Sequence, residues 1–165
     1  MSDTVLVTGA NRGIGLALTK EYLKRGDTVF AGCRNPEKAD DLNAMSASHA
    51  DKLLVFRLDV TRSESTASAA QFVWGRTETL DVLVNNAGIN PEEHASVKLL
   101  ELEIQDCRNA FEVNVLGTAR ITRAMLPLLE KGRRARIANI TSGIGCISQK
   151  DRLGYYSYGL SLIHI

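Results

Sequence analysis

Apolar runs of strand length alternate with segments of helical periodicity along the whole chain. The runs are rich in valine, leucine and isoleucine, as expected of strands that are covered on both faces. Their alternation with helices, in the order β-α-β-α-β-α-β-α-α-β, is typical of βαβ units around a parallel sheet. The strands are predicted at Thr4–Thr8, Thr28–Cys33, Leu53–Leu58, Leu80–Asn85 and Arg136–Ile140. The pattern therefore predicts an α/β fold with a doubly wound, Rossmann-type parallel sheet. Since such a sheet has six strands, we expect this one to be incomplete at its C-terminal end.

Two of the predicted helices carry an apolar stripe that should face the core. In the first helix the stripe consists of Ile14, Ala17, Leu18 and Tyr22. In a later helix, over 109–132, it consists of Phe111, Val115, Thr118, Thr122, Met125 and Leu129. The apolar tail over 160–165 has too little length left to form a helix.

The composition fits a single domain over 1–165. The chain is 44% hydrophobic and 24% charged, with a formal net charge of +1, which argues against a nucleic-acid or membrane partner. Because the sequence shows neither a signal segment nor a membrane-spanning apolar run, we expect a cytoplasmic protein. Three cysteines, Cys33, Cys107 and Cys146, are far apart, which favours reduced thiols over disulfides or a zinc site.

A glycine-rich turn follows the first predicted strand and opens the first helix, Thr8-Gly9-Ala10-Asn11-Arg12-Gly13-Ile14-Gly15. Glycines let a backbone turn sharply and approach a pyrophosphate, and a helix N-terminus offers unpaired N–H groups to the anion. An ordinary strand-to-helix turn is the alternative, but the place of this turn at the first βα junction favours nucleotide binding. The candidate contacts in the turn are Gly9, Asn11, Arg12, Gly13, Ile14 and Gly15.

The spacing Gly-x-x-x-Gly-x-Gly after a threonine resembles the turn of the short-chain dehydrogenase/reductase family, and further motifs follow in the order of that family. Asp59-Val60 follows the third strand, where the family holds the adenine ring. Asn85-Asn86-Ala87-Gly88 ends the fourth strand, where small residues let the ribose and nicotinamide pass close to the backbone. Each motif alone could be an ordinary turn, but their order favours the family. The resemblance implies cofactor contacts at Asp59, Val60, Asn86, Ala87 and Gly88.

The end of the second predicted strand indicates which nicotinamide cofactor is preferred. A carboxylate there pairs with the ribose hydroxyls of NAD, whereas the 2′-phosphate of NADP needs a cation. The strand ends in Gly32-Cys33-Arg34, without an acid, and Arg12 in the glycine turn can approach the same group. Arg34 could instead be a solvated surface residue. The missing carboxylate independently favours NADP, with NAD the weaker alternative.

The resemblance also implies a catalytic site built on Asn114, Ser142 and a tyrosine. In the family, the tyrosine protonates the developing alkoxide, the serine steadies the substrate oxygen, and the asparagine helps to anchor a water that relays protons. A lysine four residues after the tyrosine holds the ribose and lowers the tyrosine pKa. Tyr158 is the favoured candidate here, because the residues around it resemble those of carbonyl-reductase-like members.

Neither register of the tyrosine motif is complete. The lysine that should follow Tyr158 is replaced by Leu162, and the rival, Tyr155, is followed four residues later by Gly159. The tail over 160–165 is unlike family sequence, so we expect it to be non-native and the chain to be a fragment. The chain as it stands is therefore predicted to be inactive.

Three functional interpretations follow from these residues. The first is an NADP-dependent oxidoreductase that reduces a small-molecule carbonyl or oxidises the alcohol. The second is a non-catalytic NADP-binding or redox-sensing protein, and the third is an interaction protein without a ligand. The third requires every motif to coincide by chance. The helix over 109–132 resembles the one with which family members pair, so a homo-oligomer is also expected for the full-length form.

Overall fold

A computed structural model describes residues 2–91, 99–149 and 154–163. Its centre is a sheet of five parallel strands in the order β3-β2-β1-β4-β5. The strands are β1 (Thr4–Thr8), β2 (Thr28–Cys33), β3 (Leu53–Arg57), β4 (Val82–Asn85) and β5 (Arg136–Asn139). The strand order reverses between β1 and β4, where doubly wound sheets open a crevice at their carboxyl edge. The predicted doubly wound parallel sheet is confirmed.

Helices connect the strands and cover both faces of the sheet. They are α1 (Gly13–Lys24), α2 (Asp40–Ser48), α3 (Ser63–Trp74), α4 (Ile104–Phe111), α5 (Thr118–Leu129) and α6 (Tyr156–Leu162). A π-helical turn, Glu112–Gly117, joins α4 to α5. The helix predicted over 109–132 is therefore a continuous helical run over 104–129. Short 3₁₀ turns lie at Pro36–Lys38, Leu99–Glu101, Gly143–Gly145 and Ile147–Gln149.

Alternate side chains of the central strands enter two separate cores, one on each face of the sheet. Leu6 points into the core formed with α3 and α5, which contains Phe30 and Met125. Val5 and Val7 point into the core formed with α1 and α2. Burial on both faces explains why these strands are continuously apolar.

The stripe predicted for α1 is wrong at its first two positions. Ile14 is 59% exposed and Ala17 is exposed, while Leu18 and Tyr22 are only partly buried against the core. The buried face consists of Gly15, Leu16, Thr19 and Leu23. The glycine turn explains the difference, because it places Gly15 under the turn and leaves Ile14 facing the crevice.

The stripe predicted for the later helix is wrong toward its N-terminal end. Phe111 is 40% exposed, and the buried positions of the helical run are Ala110, Asn114, Gly117, Ile121, Met125, Leu128 and Leu129. The cause is Gly117, where a Cβ atom would lie 2.7 Å from Val60 Cγ2. Only glycine permits this close approach to Val60, and the face of the helix that carries Asn114 and Gly117 is therefore buried.

The C-terminal elements also differ from expectation. β5 is exposed along its whole length, unlike the doubly covered strand predicted, because among the described residues it packs mainly against β4. The segment predicted to have no helix length left contains the end of α6, where Leu162 is 5% exposed. Apolar residues of the tail gain a buried position there, which favours the helix.

Candidate cofactor cleft and active site

A cleft of about 520 Å³ lies at the carboxyl ends of the strands, at the point where the strand order reverses. Every residue predicted to contact a cofactor lines it except Gly15, which is buried beneath the turn. The predicted residues in its wall are Gly9, Asn11, Arg12, Gly13, Ile14, Arg34, Asp59, Val60, Asn86, Ala87 and Gly88. The structure thus brings four separate segments of the chain to one site.

The glycine turn forms one wall through close backbone packing. Gly9 has a φ of 64°, which favours glycine, and a Cβ atom there would lie 3.0 Å from Ala87 Cα. A Cβ atom on Gly15 would overlap with the carbonyl oxygen of Gly9. Beyond its own helix and chain neighbours, Gly13, with a φ of 54°, has no atom of the described residues within 4 Å of its Cβ position. The resulting hollow at the N-terminus of α1 fits a phosphate group.

Reciprocal hydrogen bonds join the glycine turn to the end of β4. The hydroxyl of buried Thr8 accepts the N–H groups of Asn86 (3.0 Å) and Ala87 (2.9 Å). The side-chain amide of Asn86 donates to the carbonyls of Thr8 (2.9 Å) and Gly9 (3.1 Å). These bonds fix two walls of the cleft relative to each other. The sequence motif identified Asn86, but the contribution of the Thr8 hydroxyl was not predicted.

Asp59 is the one carboxylate among the residues that line the cleft in the described part of the chain. Burial would raise its pKa, but the side-chain and backbone hydrogen bonds of Thr61 and the positive charges of Arg34 and Arg62 outweigh burial and lower the pKa. The Asp59 carboxylate accepts the Thr61 hydroxyl at 2.7 Å and the Thr61 N–H at 3.0 Å. Asp59 is therefore a fixed anion at physiological pH.

Val60, beside Asp59, is held in place from the helical run. Gly117 packs directly against the Val60 side chain, and the Arg120 guanidinium donates to the Val60 carbonyl at 3.4 Å. The same guanidinium pairs with Glu112 at 2.6 Å, across the π-helical turn. Sequence reasoning missed both Gly117 and Arg120, whose roles depend on a contact between distant segments.

Three cations, Arg12, Arg34 and Lys38, line the cleft against the single charge of Asp59. Arg34 follows β2, and Lys38 ends the 3₁₀ turn that comes next. The excess of positive charge suits a polyanionic ligand. Lys38 was missed from the sequence, although a second cation shortly after Arg34 was a visible signal.

The three residues predicted to be catalytic do not line this cleft. Ser142 is partly buried, and its hydroxyl accepts the N–H of Ile144 at 3.3 Å. It thereby caps the turn Gly143–Gly145, which packs against α6: a Cβ atom on Gly145 would lie 2.7 Å from Leu162 Cβ. The serine and the helix that carries Tyr158 are therefore neighbouring elements.

Asn114 lies buried in the π-helical turn and joins two elements of the site. Its amide oxygen accepts the Ile89 N–H at 2.9 Å, and its amide nitrogen donates to the Ile89 carbonyl at 3.0 Å. The same nitrogen donates to the Ser161 hydroxyl at 2.8 Å. Ile89 lines the cleft, and Ser161 lies on α6 three residues after Tyr158.

The two candidate tyrosines occupy different backbone positions. Tyr158 is a partly buried residue inside α6, whereas Tyr155 precedes the helix with a φ of 51°. The position four residues after Tyr158 holds buried Leu162, and that after Tyr155 holds buried Gly159. Neither position carries a cation that could lower a tyrosine pKa.

Within the described ranges, no three His, Cys, Asp or Glu side chains form a group that could hold a metal ion. No cysteine there forms a disulfide. Burial raises the pKa of the Cys33 thiol, because its effect is larger than the opposite effect of the Asn35 backbone hydrogen bond. In the same described part, no helix is long and apolar enough to cross a bilayer.

Comparisons with known proteins agree with this architecture. Residues 3–159 match the family model described as short chain dehydrogenase. The chain is 38% identical over 147 residues to the short-chain dehydrogenase anuI of Penicillium roqueforti, covering 87% of this chain and 57% of that protein. It is 35% identical over 143 residues to the NADPH-dependent pterin aldehyde reductase of Arabidopsis thaliana, covering 86% and 57%.

Among solved structures, the NADPH-bound carbonyl reductase from chicken fatty liver superposes with a TM-score of 0.89 at 31% sequence identity. The match covers 99% of this chain and 69% of that structure. The chain thus spans little more than half the length of the two curated relatives named above. With the motif order, the sheet topology and the matched range in agreement, the chain belongs to the short-chain dehydrogenase/reductase family.

Proposed function

We propose that this chain binds NADP(H) and forms the cofactor-binding part of an NADP-dependent oxidoreductase acting on a small-molecule carbonyl or alcohol. The observation that carries the proposal is the cleft itself, where the glycine turn and the ends of β2, β3 and β4 meet. The hollow over Gly13 fits a pyrophosphate, and Asp59 and Val60 lie at the far wall, where an adenine ring would bind. NADPH-bound and NADPH-dependent relatives support the same cofactor.

The preference for NADP(H) over NAD(H) rests on charge. Arg34 and Lys38 line the cleft just after β2, and Arg12 approaches it from the glycine turn. A 2′-phosphate gains charge-assisted hydrogen bonds from such cations. The end of β2 carries no carboxylate that would pair with the ribose hydroxyls of NAD. The same cations give NAD(H) no corresponding gain.

The catalytic roles are assigned to Asn114, Ser142 and Tyr158. Bound NADPH would supply the hydride for reduction of a carbonyl. Tyr158 would donate the proton to the substrate oxygen, and the Ser142 hydroxyl would donate a hydrogen bond to that oxygen. Asn114 would hold the active-site geometry through its bonds to Ile89 and α6. The bond between Asn114 and Ser161 favours Tyr158 over Tyr155, because the Ser161 hydroxyl also donates to the Tyr158 carbonyl.

Leu162 favours a second candidate function for the chain as it stands, that of a non-catalytic NADP-binding or redox-sensing protein. Its side chain is buried at the position where the family places a lysine. Without an ammonium group there, Tyr158 lacks the cationic neighbour that the family places beside its tyrosine. We therefore propose that this chain binds NADP(H) without turning it over.

The helical run over α4 and α5 is the proposed surface for self-association. Phe111, Leu116 and Leu126 expose large apolar side chains along the helical run, which supports pairing of this face in a full-length homo-oligomer. We also propose that the protein is cytoplasmic and that residues 1–165 form one domain. Light scattering of the full-length protein tests whether it forms a homo-oligomer, and a monomer at all concentrations would contradict the pairing.

A fluorescence titration with NADPH and NADH tests the cofactor. We expect NADPH to bind at least about 10-fold more tightly, the size of one charge-assisted interaction. Displacement by 2′-phospho-AMP should likewise be stronger than displacement by AMP, which isolates the 2′-phosphate. Equal affinity for NADH would overturn the NADP preference, and no binding of either cofactor would overturn the proposed function.

A further inference from the structure

Buried Ser161 lies between two residues that the proposed function assigns to the active site. Its hydroxyl donates to the Tyr158 carbonyl at 2.7 Å and accepts the Asn114 side-chain amide at 2.8 Å. The residue is 1% exposed, so bulk water has little access to these bonds. A serine hydroxyl has one donor and two acceptor sites, and this geometry uses the donor and one of the acceptors.

Asn114 extends the connection to the cofactor cleft. Its amide group forms a two-way bridge with the N–H and carbonyl of Ile89, which lines the cleft beside Gly88. The chain of bonds therefore runs from the backbone at Tyr158, through Ser161 and Asn114, to the rim of the cleft. Removing Ser161 Oγ leaves a buried N–H of Asn114 without this acceptor, and such a loss destabilises the arrangement.

We propose that Ser161 is a positioning residue that, through Asn114, holds the helix carrying Tyr158 in register with Ile89 at the rim of the cofactor cleft. The inference rests on the proposed function for the meaning of Tyr158 and the cleft. It adds a chain of hydrogen bonds between Tyr158 and the cleft, so that cofactor binding in the cleft also orders α6. Ser161 is not among the residues that line the cofactor cleft in the described part of the chain, and it acts through the other two residues.

Amide hydrogen exchange of the cofactor-free chain tests the link directly. Ser161→Ala should speed exchange over 156–162 and also at Ile89, by about 3- to 10-fold, as expected for one buried hydrogen bond. Asn114→Ala should have the same effect, and the double variant should add nothing further. Ser161→Thr keeps the hydroxyl and should restore slow exchange at Ile89, whereas Ser161→Cys, a weaker hydrogen-bonding group, should not.

Ser157→Ala is the matched control, because Ser157 is an equally buried serine of α6 whose hydroxyl accepts from Cys107 at 3.5 Å. It should speed exchange in α6 and leave Ile89 unchanged. A serine that only stabilises the helix would behave in the same way at position 161. Unchanged exchange at Ile89 in Ser161→Ala, or independent effects of Ser161 and Asn114, would overturn the inference.

NADPH extends the test to Tyr158. In protein labelled with 3-fluorotyrosine, we expect NADPH to shift the Tyr158 fluorine resonance, identified by its loss in Tyr158→Phe. Ser161→Ala should abolish that shift while NADPH still binds, and a retained shift would overturn the inference. If the unaltered chain binds no NADPH, the proposed function fails, and the cofactor-free exchange decides the link on its own.

Discussion

Thr8 and Asn86 hydrogen-bond each other in both directions: the Thr8 hydroxyl accepts the Asn86 N–H at 3.0 Å, and the Asn86 side chain donates to the Thr8 carbonyl at 2.9 Å. Thr8 is the last residue of β1, and Asn86 directly follows the last residue of β4. These two strands lie on either side of the point where the sheet order reverses. The glycine turn and the wall that follows β4 therefore behave as one unit.

Thr8→Val should weaken both folding and NADPH binding. Valine keeps the shape of threonine but leaves the N–H groups of Asn86 and Ala87 without their acceptor, at a cost of about 1–3 kcal/mol. Denaturant unfolding and NADPH titration measure the two effects. Thr19→Val is the control, because among the described residues the buried Thr19 hydroxyl bonds only the Gly15 carbonyl within α1. An equal loss of stability and NADPH affinity in both variants would contradict a specific role of the Thr8 hydroxyl in the cleft.

Gly15→Ala should abolish NADPH binding and destabilise the fold. The added Cβ would overlap with the Gly9 carbonyl and lie 2.5 Å from the Asn86 side-chain nitrogen, and such overpacking costs about 1–3 kcal/mol. Gly143→Ala is the control, since no atom of the described residues, its chain neighbours aside, lies within 4 Å of its Cβ position. Unfolding curves and cofactor titrations that leave Gly15→Ala like the unaltered chain would contradict the close packing of the turn.

Arg34→Ala and Lys38→Ala should each weaken NADPH binding by about 10-fold or more and leave NADH binding nearly unchanged, because each removes a charge-assisted bond to the 2′-phosphate. Arg34→Asp should go further and shift the preference toward NADH. Lys20→Ala removes an exposed cation of α1 outside the cleft and should have little effect. Equal losses of affinity for NADPH and NADH would instead indicate that these cations bind the pyrophosphate, which both cofactors carry.

Acid should remove a contribution that Asp59 makes to folding stability. Its folded pKa lies below the ordinary aspartate value of about 3.9. The contribution is therefore complete above that ordinary value and is lost as pH falls through the lower folded pKa. Asp59→Asn should be less stable than the unaltered chain at neutral pH, and the gap should narrow below about pH 4. A gap that is constant with pH, in denaturant unfolding, would contradict the lowered pKa.

The central sheet could be predicted from the sequence because strands covered on both faces are continuously apolar. Helix faces were harder. On α1 the glycine turn sets the orientation, so Ile14 faces the cleft although it looks like a core residue. In the helical run over 104–129, Asn114 and Gly117 are buried although neither is a large apolar residue, so a hydrophobic pattern does not identify them. Their burial depends on the contact with Val60, which is distant in sequence.

For the site, local motifs identified residues on the chain segments that form the cleft. What they could not supply were contacts between segments, such as those of Thr8 with Asn86 and of Asn114 with Ser161. Lys38 was missed because its position in the cleft depends on the 3₁₀ turn after β2. Sequence spacing predicts which segments meet, and the side-chain bonds between them require the folded structure.

Leu162→Lys tests whether the missing lysine alone explains the predicted inactivity. The chain as it stands should not oxidise NADPH steadily in the presence of a reactive carbonyl. A lysine one helical turn after Tyr158 would place an ammonium group beside the proposed acid. The variant should therefore oxidise NADPH at about 100-fold or more above the unaltered chain, as expected for general acid catalysis. Adding Tyr158→Phe should abolish the gain, and adding Tyr155→Phe should not. Gly159→Lys is the matched control for the other register: activity in that variant, and none in Leu162→Lys, would make Tyr155 the acid. Steady turnover by the unaltered chain would show that neither tyrosine needs the lysine.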